Sequence, residues 1–452
     1  MKISVIGLGH VGLVSAVCLA ELGHQVIGVD SDPEKLDKIR KGEVPFFEPG
    51  LEELLQQVFR KGLFTAAHEL NQVVEQTEVT FVCVDTPPDA QGNMDLTHIR
   101  RVSWEIGQAL KNKPDYHLVV IKSTVIPTTT IQVVLPILKQ ASAKDTDSFG
   151  LAMNPEFLRE GKAVADFMQQ DRIILGALDQ HSEQLLEEVY RHFDSPKLKV
   201  SPSTAELIKY ANNVLLASLI SFSNEMANIA ELIPDINLDR VFEGIYLDKR
   251  WQWCLGREPS ILVYLKPGAG FGGSCLPKDT AALVQFSTER GYSPELIKSV
   301  LAINKNRLDH IIAILKSREN LASGPVSILG LTFNSDTDDI KESPSIPLID
   351  KLVEMGMHVR AYDPYVDHLE KRGINFELCK TLKDAIANSK AALVMTAWDE
   401  FVDFAPAQWK GLMATPFLLD CRRVLKGDVL KEAGVEYMGI GDYLGRLDNC
   451  RE

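Results

Sequence analysis

The sequence predicts an α/β protein in which two Rossmann-like, doubly wound parallel-sheet domains are joined by a central all-helical domain with one long helix. Three observations carry the prediction. The chain opens on a strand, a glycine-rich turn and a helix; its middle holds an unbroken helical pattern from Ser203 to Ile233; and strand-helix alternation returns in the last third. At 452 residues the chain exceeds one ordinary core, so several packed units are expected.

Residues 2–6 and 25–30 read as short buried strands around an amphipathic run from Val11 to Leu22, a βαβ unit. Strand-like runs follow at Val79–Val84, His117–Lys122, Leu151–Asn154 and Arg172–Gly176, alternating with helical patterns as in a parallel doubly wound sheet, so residues 1–200 are expected to form one domain. Ser203-Thr204-Ala205-Glu206 has the form of a capping box and is expected to start the long helix. Helical patterns then continue to residue 318, broken only by the glycine-rich stretch Pro267–Ser274, which makes 201–318 the helical domain. Strand signals resume at Val326–Leu331, His358–Tyr362, Ala391–Thr396 and Phe417–Leu419, giving a second α/β domain over 319–452.

Composition excludes several classes. A formal charge of −14 without a Lys/Arg block argues against a nucleic-acid partner, and no apolar stretch approaches the roughly 20 residues that cross a bilayer. The apolar run after Met1-Lys2 is interrupted by Gly7, Gly9 and Gly12 and reads as a first strand rather than a leader. Seven cysteines without a CxxC pair suggest a reducing, cytoplasmic compartment and no disulfide framework. No metal is expected, since paired Cys/His spacing and HExxH are both missing; GxxxxGK[ST] and GxSxG are missing too.

Four stretches carry chemistry. Gly7-Leu8-Gly9-His10-Val11-Gly12 lies between a strand and a helix, where glycines let the backbone approach a pyrophosphate and the helix N-terminus favours its charge. Asp30 ends the second strand, where a carboxylate accepts from a ribose and repels a 2′-phosphate, so the cofactor is expected to be NAD rather than NADP. Gly270-Phe271-Gly272-Gly273-Ser274-Cys275-Leu276-Pro277-Lys278-Asp279-Thr280 sets a cysteine among glycines, a proline and a Lys-Asp pair. If Ser274 or Cys275 caps a helix with Pro277 in its first turn, the dipole and Lys278 favour a thiolate; the residues alone leave a buried structural cysteine as the other reading. Lys209 and Asn213 stand four apart on the long helix, a spacing that lets both reach one oxyanion, although a helix lysine is ordinarily a solvated charge. Asn154-Pro155-Glu156-Phe157-Leu158-Arg159-Glu160-Gly161 follows a strand and places two carboxylates at the carboxyl edge of the sheet, as candidate bases or as ordinary loop acids.

These stretches, with Glu48-Pro49-Gly50-Leu51, Val84-Asp85-Thr86-Pro87, Lys122-Ser123-Thr124, Ala205–Asn213 and Tyr362-Asp363-Pro364, make the chain resemble the UDP-glucose/GDP-mannose dehydrogenase family over nearly its whole length. The resemblance implies an N-terminal NAD domain, a central dimerisation domain and a C-terminal nucleotide-sugar domain in a homodimer or higher homo-oligomer. It implies oxidation of a UDP-glucose C6 alcohol to UDP-glucuronate through an aldehyde, a thiohemiacetal and a thioester on Cys275. Lys209 and Asn213 would stabilise the oxygen, Asp279 with Thr124 would place a water or relay the proton, and Glu156 would activate the hydrolytic water. Cofactor contacts are expected from Gly7, Gly9, Val11, Gly12, Asp30, Lys35, Thr86, Thr124, Glu160 and Lys278. Substrate contacts are expected from Glu156, Phe157, Leu158, Glu160, Lys209, Asn213, Arg250, Phe271, Gly272, Lys341 and Arg422. Lys278-Asp279 resembles the UDP-glucose and GDP-mannose branches more than the N-acetylhexosamine branch, and Arg172 favours the UDP-glucose branch. Three features depart from the family pattern: an insertion within Trp251–Tyr264, Lys341 where many relatives have arginine, and Cys421 in place of glycine. The same mechanism on GDP-mannose or another UDP-hexose, and a silent binder of NAD and nucleotide sugar, remain the alternatives.

Overall fold

The computed structural model describes residues 1–89, 93–248, 260–318, 324–369 and 376–444. Two compact units divide the chain, Met1–Asn212 and Asn213–Glu452. The long helix is continuous from Pro202 to Ala230.

The first unit is built on β1 (Lys2–Ile6), β2 (Gln25–Val29), β3 (Phe64–Ala67), β4 (Val79–Val82), β5 (His117–Ile121), β6 (Phe149–Met153), β7 (Ile173–Ala177) and β8 (Lys197–Val200), in the spatial order β3-β2-β1-β4-β5-β6-β7-β8. The order reverses between β1 and β4, so the carboxyl ends of these two strands open the crevice where doubly wound folds bind ligands. Apolar side chains cover both faces of β1, β4 and β5, and the helix His10–Glu21 is buried from Gly12 to Ala20, so it is apolar nearly all round.

One expectation needs correction. The first six strands are parallel, but β7 pairs with β6 antiparallel and β8 follows β7. The only helix between β6 and β7 is Ala163–Met168, about 9 Å long, and it cannot carry the chain back along a strand of about 17 Å. The chain therefore re-enters from the end it left. The residues so released form the irregular segment 154–162, which carries Glu156 and Glu160.

In the second unit, β9 (Val326–Leu329), β10 (Val359–Tyr362), β11 (Glu377–Leu378), β12 (Ala391–Val394), β13 (Phe417–Asp420) and β14 (Glu436–Gly439) form a parallel sheet in the order β11-β10-β9-β12-β13-β14. Helical segments occupy this unit from Leu238 to Lys316 among the described residues, as the sequence predicts for the centre of the chain. The start of the long helix differs from the predicted capping box. Ser201 is the cap, its Oγ accepting from the Thr204 amide at 3.3 Å, while Glu206 turns away to the loop at Thr128–Thr130.

Candidate active site

In the first unit the turn after β1 shows which glycines packing demands. Gly7 has φ +89°, and a Cβ there would stand 2.9 Å from the Cys83 carbonyl oxygen; one on Gly12 would stand 1.7 Å from the Gly7 oxygen. Gly9 is different. A Cβ on it would meet only the Asp85 carboxylate at 3.9 Å, so no neighbour among the described residues requires glycine, whereas a ligand lying against the backbone would. Gly9 also caps the following helix without a side-chain acceptor, leaving its first amides available to an anion; Val11 lies partly exposed in that turn.

Asp30 is buried at the end of the second strand and accepts from the Leu8 amide at 2.8 Å, the Asp32 amide at 3.0 Å and Lys35 Nζ at 2.9 Å. Burial opposes its ionisation, but these bonds outweigh it and hold the carboxyl below its ordinary pKa. With about four lone-pair sites, an ionised carboxylate retains one for a ribose hydroxyl. Lys35, expected at the cofactor, lies on this aspartate. The donor set therefore fits a dinucleotide with a free 2′-hydroxyl. Thr86 Oγ1 donates to the Thr124 carbonyl at 2.8 Å, tying the loops after β4 and β5 together.

Beyond β6, Glu156 is buried, with Oε1 2.8 Å from Lys209 Nζ and Oε2 accepting from the Leu158 amide at 2.6 Å. Burial alone would raise its pKa; the Lys209 ammonium, the Leu158 amide and the Lys122 charge together bring it below the ordinary value. Lys209 is itself buried, against the usual fate of a helix lysine, and stands 5.4 Å from the centre of the Phe157 ring, which Arg172 covers at 4.1 Å. Lys122 donates to Asn154 Oδ1 at 2.9 Å, and burial pushes its pKa down to about 8. Leu158 and Glu160 are half-buried in the same segment. Its far end is fastened by Glu48, whose carboxylate accepts from the Gly161 amide at 2.9 Å, the Ala163 amide at 2.7 Å and His10 Nε2 at 2.8 Å.

In the second unit Cys275 is the cap residue of the helix Leu276–Glu289, with Pro277 in the first turn, the arrangement the sequence predicts. It is half-buried and carries no disulfide. Asp279, one turn on, donates its amide to the Cys275 carbonyl at 2.9 Å. The Asp279 side chain is fully buried: Oδ2 accepts from Asn213 Nδ2 at 2.7 Å, while Lys278 Nζ lies 2.9 Å from Oδ1 without hydrogen-bond alignment. Oδ1 has no other partner among the described residues, so it retains capacity to accept a proton or a hydrogen bond.

The second sheet repeats the device of the first at its β9 turn. Gly330 donates to the Tyr362 carbonyl at 2.8 Å, and Asp363 accepts from the Leu331 and Thr332 amides at 2.7 and 3.1 Å, as Asp30 accepts from Leu8. Trp398 Nε1 takes the place that Lys35 holds on Asp30. Arg422 follows β13 and donates to the Met395 and Phe333 carbonyls at 2.6 and 2.9 Å. Phe271 is buried, Gly272 packs against the Glu342 carbonyl, and Lys341 is exposed in the loop before the helix Ser345–Glu354. Arg250 and the insertion residues 251–259 lie outside the described residues.

The structure thus pairs Glu156 with Lys209 in one unit, and Asn213 and Lys278 with Asp279 beside Cys275 in the other. Lys209 and Asn213 each engage a separate carboxylate. Sequence reading passes over His10, Glu48 and Lys122 as functional residues. Glu48 and Lys122 fall within the stretches that carry the family resemblance, but nothing in a linear pattern marks a charged side chain as buried.

Residues 1–194 match the NAD binding domain of the UDP-glucose/GDP-mannose dehydrogenase family, 203–306 its central domain and 327–427 its UDP binding domain. The chain is 38% identical to a UDP-glucose 6-dehydrogenase of Haloferax volcanii, over 97% of this chain and 100% of the relative. It is 36% identical to a GDP-mannose 6-dehydrogenase of Pseudomonas aeruginosa, over 89% and 93% of the two chains. The solved structure of a UDP-glucose dehydrogenase from Pyrobaculum islandicum superposes with a TM-score of 0.88 at 34% identity, covering 98% of both chains. The chain belongs to the UDP-glucose/GDP-mannose dehydrogenase family.

Proposed function

We propose that the protein oxidises UDP-glucose to UDP-glucuronate, consuming two NAD per sugar through covalent intermediates on Cys275. The observation that carries this reading is Cys275 at a helix start with the buried, under-bonded Asp279 carboxylate one turn away. NAD, when bound by the Gly7–Gly12 turn and Asp30 with Lys35, Thr86, Thr124, Glu160 and Lys278, is the hydride acceptor for both oxidations.

In the first oxidation the C6 hydroxyl loses a proton toward Asp279 or a water it holds with Thr124. Lys209 and Asn213 stabilise the developing oxyanion. The Cys275 sulfur then adds to the C6 aldehyde to give a thiohemiacetal, and loss of a hydride and a proton leaves the thioester. Water attacks its carbonyl, releasing the uronate and restoring the thiol. The base for that water is Glu156, which is ionised but paired with Lys209 in the resting protein. Transfer of the Lys209 ammonium to the substrate oxygen unpairs the carboxylate and makes it a stronger base when it is needed.

The reading assigns residues 1–200 to NAD, 201–318 to the catalytic thiol and assembly, and 319–452 to the nucleotide, with Lys341 and Arg422 toward its phosphates. A homodimer is supported by Leu207, Leu215, Phe222 and Ile229, which are exposed at about every second turn of the long helix. Light scattering should give two or more protomers, and a monomer would refute assembly. A cytoplasmic setting accords with cysteines that form no disulfide at any of the five described positions; among the described residues no helix is long and apolar enough to cross a membrane.

The test is Cys275→Ser supplied with UDP-glucose and NAD. The expected outcome is a stable ester adduct of the sugar on the intact protein, since an alkoxide is a poorer leaving group than a thiolate. Turnover to uronate at the wild-type rate would refute covalent catalysis. GDP-mannose, offered to the wild type beside UDP-glucose, identifies the reading kept open by the Pseudomonas aeruginosa relative if it alone is turned over.

A further inference from the structure

The loop that leads into Cys275 has no ladder of its own, and its backbone is held by side chains. The Gly268 amide donates to Asn224 Oδ1 at 2.7 Å, and the Gly268 carbonyl accepts from Arg307 Nε at 2.6 Å. Three residues on, the Phe271 amide donates to Asn304 Oδ1 at 2.8 Å and the Phe271 carbonyl accepts from Asn304 Nδ2 at 3.0 Å. All four backbone polar groups of these two residues are thus satisfied by side chains of two helices, the C-terminal part of Pro202–Ala230 and Glu295–Lys316. Asn304 and Arg307 lie three apart on the second helix and so share a face. Between the two clamped residues, Gly270 has φ +103°, and a Cβ there would stand 2.5 Å from Asn304 Oδ1; only glycine lets the clamp close.

Arg307 is a costly way to hold a loop. It is 1% exposed, burial pushes its guanidinium down to about 10, and Nη2 has no acceptor among the described residues. An apolar side chain of similar volume would serve packing better, so the placement of Gly268 is the gain that offsets the cost.

We propose that Asn304 and Arg307 are positioning residues for Cys275: by clamping Gly268 and Phe271 they fix the path of the loop into the helix start that presents the thiol. The proposal rests on Cys275 being the nucleophile of the two-step oxidation. A clamp on the thiol matters to the second oxidation, where sulfur must meet the aldehyde, more than to the first, and a misplacement of about 1 Å is enough to cost roughly a hundredfold in rate.

The experiment compares wild type, Asn304→Ala and Arg307→Lys with limiting UDP-glucose, excess NAD and semicarbazide as an aldehyde trap. Wild type is expected to give two NADH per sugar. The variants should fall toward one with the sugar semicarbazone accumulating, and kcat without trap should drop by about 10²-fold while KM for sugar and NAD moves less than about threefold. A merely structural role lowers the melting temperature and leaves this partition unchanged. A second readout needs no substrate: alkylation of the half-buried Cys275 by iodoacetamide, followed by peptide mass spectrometry, should accelerate at least about threefold once the loop opens locally. Asn304 is only half-buried, so its alanine variant is expected to fold even if Arg307→Lys does not. Two NADH per sugar in the presence of the trap, or alkylation at the wild-type rate, in Asn304→Ala overturns the clamp. Wild type that makes no NADH from UDP-glucose counts against the substrate reading instead, and alkylation then decides on the clamp alone.

Discussion

A buried carboxylate is informative because it has to be explained, and Glu48 is explained by what it ties together. It joins the glycine-rich turn, through His10, to the segment bearing Glu156, through the Gly161 and Ala163 amides. Burial disfavours the His10 imidazolium, but the bond to Glu48 and the charges of Glu160 and Glu156 outweigh it and raise its pKa above the ordinary value. The sign follows: this contribution is fully present below the unfolded histidine pKa of about 6.5 and is lost as pH rises through the higher folded value. Melting curves of wild type and His10→Gln should therefore differ most below pH ~6.5 and converge as pH rises through the raised folded value. A gap that widens with pH would contradict the pairing. Lys122 has the opposite linkage. Its folded pKa of about 8 lies below the ordinary 10.5, so the folded state holds fewer protons between those values and stability gains with rising pH there. Lys122→Met should flatten the rise seen in denaturant titrations between those pH values; an unchanged slope would contradict it. The glycine turn, Asp30 and the helix start at Cys275 were legible in the sequence because the roles proposed for them, backbone approach, ribose recognition and nucleophilicity, would each demand one residue type at one place. Lys122, Glu48, Asn304 and Arg307 were not, because their roles depend on burial and on partners distant in sequence.

Among elements, legibility followed burial. The strands the sequence failed to signal are β3, β8, β11 and β14, the four edges of the two sheets. An edge strand is short and covered on fewer sides, so it lacks the continuous apolar run that marks a central parallel strand; β8, Lys197-Leu198-Lys199-Val200, is partly exposed throughout. The reversed β7 was likewise unreadable, since strand direction depends on the geometry of the connection and not on the strand's own residues. The long helix was legible in length but not in its cap. Ser201→Ala should cost about 1 kcal/mol of stability, and Ser203→Ala close to nothing, in urea unfolding; the reverse order would restore the capping box the sequence suggests. Glu206 has left that role to receive the Thr128 and Thr130 amides and the Thr130 hydroxyl. It braces a turn in which Thr128 adopts φ +80°, so Glu206→Ala should cost about 3 kcal/mol in the same experiment, from the two amides and the hydroxyl left unpaired. A cost below ~1 kcal/mol would show that the turn holds without it.

The whole chain carries a net charge of −14, yet the proposed reaction brings it the pyrophosphate of a dinucleotide and an anionic nucleotide sugar. Local cations resolve the conflict: Lys122 and Lys209 flank Glu156, and Lys278 stands on Asp279. Lys209 and Lys278 are each held against a carboxylate and Lys122 on the Asn154 amide oxygen, so the positive charge is placed with a partner, and transfer of Lys209 from carboxylate to substrate is a small step in charge. The turns after β1 and β9 match in their bonds to Asp30 and Asp363 but differ in carrying Gly9 and Thr332, a difference that fits the close-lying pyrophosphate proposed for the first unit alone. The measurement that bears most directly on this chemistry is the yield of NADH from limiting UDP-glucose, with mass spectrometry of the sugar product. Two NADH per sugar and UDP-glucuronate, both abolished in Cys275→Ala, is the predicted result. One NADH per sugar with an aldehyde as the final product of wild type, or uronate formed at the wild-type rate by Cys275→Ala, would contradict it.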